Sequence, residues 1–145
     1  MKKNHSVIVL CAYLAFANSG YAASVAPEAA KAYIISPTNG ATVTSPVTVL
    51  FGLSNMGVAP AGVEQANTGH HHLLIDVDEL PPLDQALPKD NQHRHFGGGQ
   101  TETRLELSPG THTLQLILGD HQHLPHTPPV LSEKITITVA PGEKK

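Results

Sequence analysis

Apolar residues recur at every second position through most of this 145-residue chain, and no segment carries a sustained helical stripe. Val47, Val49, Phe51 and Leu53 share one side of an extended segment. So do Leu73, Ile75 and Val77, then Leu105 and Leu107, then Leu114, Leu116 and Leu118, and finally Ile135, Ile137 and Val139. "AYIIS" at 32–36 leads to a turn at Asn39-Gly40, and "ATVT" forms a short second piece. A strand with one apolar face must bury it against another sheet. The expected fold is therefore all-β: an Ig-like β-sandwich of about seven short antiparallel strands, with two long loops at 55–69 and 79–100.

The first residues read as an address. Lys2 and Lys3 precede the apolar run "VIVLCAYLAFA", and "GYA" before Ala23 resembles a leader-cleavage site. The expected organisation is a signal peptide over 1–22, a tether over 23–31, the sandwich over 32–140 and a tail over 141–145. About 120 residues then remain, enough for one core. The protein is expected in the periplasm or secreted, with no membrane span once the leader is cleaved. Its single cysteine, Cys11, lies in the leader, so no disulfide framework supports the domain. Without Lys2 and Lys3, seven basic residues face twelve acidic ones, a formal balance of −5 that argues against nucleic acid as a partner.

Nine of the ten histidines follow the leader. Eight fall in three groups, His70 to His72, His93 with His95, and His121 with His123 and His126, and each group contains a His-x-His pair. On an extended chain alternate side chains project from one face about 7 Å apart, within reach of a common metal ion. If the segment after the triplet pairs antiparallel with the strand at 114–118, all three groups meet at one pole of the sandwich. Parity turns His71 inward with Leu73 and Ile75, and leaves His70 and His72 on the opposite side. The candidate ligands are His70, His72, His93, His95, His121, His123 and His126.

Asp76 and Asp120 are placed to orient imidazoles, and Gly97 to Gly99 to admit close backbone approach. His112, in "LSPGTHTL", stands where a tyrosine ties the corner of Ig-like domains back to the backbone, and is expected to be structural. The donor type suits Cu(II) or Zn(II), and the lack of thiolates argues against a dedicated Cu(I) site. Glu64, Asp76 or Glu102 offer bases for a metal-activated water, but no nucleophile constellation accompanies them, so a binding protein is favoured over an enzyme.

The stretches "SPTNGATVTSPVTVLFGLSNMGVAPAG", "TGHHHLLIDVDELPPLDQ", "HRHFGGGQTET" and "LSPGTHTLQLILGDHQHLPH" resemble a family of small exported bacterial proteins, domain of unknown function 4399. The resemblance covers about residues 33 to 139. It implies export and β-rich structure but no activity, and it places His70 to His72, His95 in "HFGGGQT", and His123 with His126 in "HLPH" within the family pattern; His121 matches it less clearly. Two expectations follow. The chain buffers, delivers or senses a metal ion, exchanged with an envelope protein; alternatively, its histidine pole docks a protein or envelope polymer in a pH-dependent way.

Overall fold

The computed structural model describes residues 22–142; the leader reading, with Cys11, lies outside them. Among the described residues there is no helix. Nine strands follow in order: β1 Lys31–Ser36, β2 Thr42–Val43, β3 Val47–Ser54, β4 Gly57–Val58, β5 Thr68–Ile75, β6 His93–His95, β7 Glu102–Leu105, β8 Gly110–Gly119 and β9 Ile135–Val139. One sheet has the order β1-β3-β7. The other runs β2-β9-β8-β5-β4, with β6 also paired to β5.

The all-β sandwich is as expected, and its core is the alternating set read from the sequence. Val47, Val49 and Phe51 face Leu73, Ile75, Leu105, Leu114, Leu116, Leu118, Ile137 and Val139 in one cluster. Two points differ. Strands number nine rather than about seven, because each long loop contributes a short one, β4 and β6. Nor are all pairings antiparallel: β2 runs parallel to β9, and β4 parallel to β5. Strands of two residues carry too little alternation to be read as strands.

A larger departure concerns β5, which is buried on both faces from Gly69 to Ile75. Its inner face carries His71, Leu73 and Ile75, and its outer face His70, His72 and Leu74. Leu74 and Ile117 on that outer face are covered by Leu87, with Val77 and Leu131 packed alongside. The 79–92 loop thus folds over the six-stranded sheet, where burying each such side chain contributes about 1.5–3 kcal/mol. The paired Leu73-Leu74 and the run Leu116-Ile117-Leu118 carry this second cover in the sequence.

His112 sits at the opposite end of β8 from Gly119. Its Nε2 donates to the Ser108 carbonyl at 2.9 Å, tying back the corner as expected, while Nδ1 donates to Asp76 Oδ2 at 2.7 Å. Both acceptors lack a proton to give, so this geometry calls for the imidazolium. Burial alone lowers the proton affinity of His112, but the bonds to Asp76 and Ser108 outweigh it and raise the pKa above 6.5. This contribution to stability is complete below pH 6.5 and is lost as pH rises through the raised value. Asp76→Asn is expected to cost about 1 kcal/mol near pH 6, exposure of Asp76 keeping the effect small, and to remove the decline on the alkaline side. Urea titrations at pH 6 and pH 9 check both.

Candidate metal centre

The outer face of β5 presents His70 and His72 side by side, because residues two apart on a strand share a face. Their Nε2 atoms lie 3.1 Å apart, and both rings are buried. Strand β6 pairs antiparallel with β5 and sets His95 opposite His72. The fourth ring comes from the turn after β8. There Asp120, itself buried, accepts backbone N–H groups of Gln122 and Leu124 on Oδ1, and the N–H and hydroxyl of Ser24 on Oδ2. These bonds hold His123 in the left-handed region at φ 69° and aim its Nε2 at that of His95, 3.1 Å away.

Ligand nitrogens of His70, His72 and His95 all lie within 4.8 Å of one another. Two nitrogens bound to one tetrahedral zinc at about 2.0–2.1 Å are roughly 3.3 Å apart, so the 3.1 Å pairs already stand at the spacing of ligands to a common ion. His70 and His72 are enclosed, whereas His95 and His123 are half-buried and form the opening.

Two glycines make room for these rings. A Cβ at position 119 would come 3.0 Å from His72 Nε2, and one at position 97 would run into the His95 ring. Gly97→Ala therefore displaces His95, a half-buried side chain at the opening. It is expected to weaken metal binding by about 10–100-fold while leaving the unfolding midpoint nearly unchanged. Isothermal titration beside thermal unfolding separates the two effects.

Burial disfavours the charged form of three of these rings. Desolvation, reinforced by the other imidazoles, pushes His70 down to about 4 and His72 to about 2. Burial also lowers His95, helped by His123 and Lys89. Neutral imidazole is the form that ligates a metal. The Nδ1 atoms of His70 and His72 are buried without partners, as are both ring nitrogens of His71, which packs on Phe51 across the sheet at 5.2 Å.

Of the seven candidate ligands the structure brings three, His70, His72 and His95, within mutual ligand distance and sets a fourth, His123, against His95 at 3.1 Å. His93 lies one step along β6 and bonds through Nδ1 to Asp90 at 2.9 Å. His121 lines a separate cleft with Ser24 and Glu64, and its carbonyl accepts the Gly62 N–H. His126 is buried against Gly69, with Nε2 donating to the Thr68 carbonyl at 3.0 Å. The four rings lie on the outer face of the sheet where β5 begins and β8 ends, with His70 and His72 covered and His95 and His123 at the opening.

Neither aspartate bonds a ring of the cluster. Asp76 serves His112 at the far end, and Asp120 shapes the turn that carries His123. Glu102 lies on β7 in the other sheet. The one signal of Gly119 in the sequence is a glycine directly after the apolar run Leu116-Ile117-Leu118 and before Asp120.

Residues 49–140 match the family described as Domain of unknown function (DUF4399). No curated protein and no solved structure matches the chain.

Proposed function

The chain belongs to the DUF4399 family, and we propose that its four-histidine cluster binds a transition metal ion, copper or zinc, in an exported protein that buffers, delivers or senses it. The observation that carries this reading is the pair of 3.1 Å Nε2 contacts, with His70, His72 and His95 held below the usual imidazole range by burial. Without an ion each 3.1 Å pair is a single N–H···N hydrogen bond, one ring donating and the other accepting. A bound cation supplies a common acceptor for the four lone pairs.

In this reading strand β5 fixes His70 and His72, β6 positions His95, and the Asp120 turn presents His123 at the opening. Export rests on the leader expected at residues 1–22, and an envelope protein that gives or takes the ion is the partner. Among the described residues no helix is long and apolar enough to cross a membrane.

The test is titration of the untagged protein with Cu(II) and with Zn(II) under a competing chelator. One tightly held equivalent is expected. At a thousandfold excess over Kd it adds about 4 kcal/mol of stability. That corresponds to a rise in Tm of roughly 10–15 °C for a domain of this size. Weak binding of several equivalents, with no change in Tm, overturns the reading.

A further inference from the structure

Resting on the metal-binding reading above, we infer that the cluster is a closed tetrahedral cage for zinc(II), with His123 as the fourth ligand, and that it disfavours copper(II). The arrangement of the rings carries this. Four rings define six centroid separations. His70 lies 4.9 Å from His72, 5.0 Å from His95 and 5.0 Å from His123; His95 lies 5.0 Å from His72 and 4.8 Å from His123; His72 and His123 are 6.0 Å apart.

Four ligands around a tetragonal ion form a square, in which two diagonals exceed the four edges by a factor of about 1.4, here roughly 7 Å. Around a tetrahedral ion all six separations are equal. Five of the observed separations span 4.8–5.0 Å, and the sixth falls well short of a diagonal.

The cage resists flattening. His72 lies against the backbone at Gly119, His95 lies on Gly97, and His123 is held from behind by the bonds of Asp120. Zinc(II) has a filled d shell and no geometric preference of its own, whereas copper(II) favours a tetragonal field. The donors are four neutral nitrogens. The carboxylate of Asp120 is occupied by Ser24, Gln122 and Leu124, and the one cysteine lies in the expected leader. Four protein ligands also leave no coordination position for water, so the site sequesters an ion and does not activate a nucleophile.

Cobalt(II), which reports its geometry through visible absorption, is the probe. The untagged protein is loaded with Co(II) and challenged with azide, in parallel with His123→Asn, a change that suits the left-handed backbone there. Strong tetrahedral absorption that azide does not alter is expected for the parent protein, and an azide-sensitive spectrum for the variant. The preference for Cu(II) over Zn(II) should rise by about tenfold or more in the variant, because an opened site can flatten. A weak, six-coordinate Co(II) spectrum, an azide response in the parent protein, or an unchanged metal preference overturns the closed cage while leaving metal binding intact. Failure of Co(II), Zn(II) and Cu(II) all to bind removes the metal-binding reading itself.

Discussion

Replacing His95 by alanine, or His123 by asparagine, lowers metal affinity by at least about 100-fold, beyond the 10–100-fold that loss of a residue supporting a ligand costs. The two changes together abolish binding in the micromolar range. Both side chains are half-buried at the opening, so the fold tolerates their loss and the unfolding free energy changes by about 1 kcal/mol or less. His93→Ala and His121→Ala serve as matched controls. They remove histidines of the same sequence groups that point elsewhere, one to Asp90 and one to the cleft beside Glu64, and leave affinity unchanged. His126→Ala separates packing from ligation. It leaves the Thr68 carbonyl without its donor and opens a void beside Gly69, costing about 2–4 kcal/mol of stability with the ligand set preserved. Chelator-competition titrations across the five variants decide the matter, and equal losses at His93 and His95 sink the assignment.

Acidification is expected to destabilise the metal-free protein from the neutral range downward. His70 and His72 bind protons near pH 6.5 in the unfolded chain but only near about 4 and about 2 when folded, through burial first and neighbouring imidazoles second. The unfolded state therefore holds more protons below pH 6.5. Stability is complete above that value and falls as pH drops toward the folded values. For His70 alone the loss between pH 7.5 and pH 4.5 is roughly 2–3 kcal/mol. His72 adds to it, less than additively, because each lowers the other.

His71 and His95, which burial also lowers, add to this loss, whereas His112, with its raised pKa, opposes it between that value and pH 6.5 and is neutral to the comparison only below it. For Asp120, burial raises the pKa, but hydrogen bonds from Ser24, Gln122 and Leu124 outweigh that and hold it below the usual carboxylate range, so its stabilisation is lost only at still lower pH. Urea unfolding at pH 7.5 and 4.5 measures the loss. A flat profile, or an equal slope in His70→Gln, contradicts the buried neutral pair.

The core was legible because its signal is local. Alternation at Val47–Phe51, Leu114–Leu118 and Ile135–Val139 states which side of each strand is apolar, and a second sheet is the natural partner for such faces. The same parity separated His71 from His70 and His72. What parity leaves open is where a loop returns. Strand β6 has three residues and a histidine at each end, and its pairing with β5 depends on contacts made twenty residues away. For the same reason His93 and His95 look equivalent in the sequence, although only His95 reaches the cluster. His123 and His126 are also alike in "HLPH", but one occupies a left-handed turn and the other a buried slot behind Gly69. The dependence of that turn on Ser24, almost a hundred residues earlier, leaves no trace in local spacing.

The double cover of β5 sets a hierarchy of motion among the four rings. Amide hydrogens of a strand enclosed on both sides exchange with solvent chiefly through global unfolding, whereas loops and short edge strands open at far lower free energy. His70 and His72 ride on the most protected segment of the molecule, His95 on a three-residue edge strand and His123 on a turn. In the proposed reading a bound ion is expected to leave in sequence, released first by the turn and the short edge strand and last by β5, so that its residence time follows the local opening of those segments.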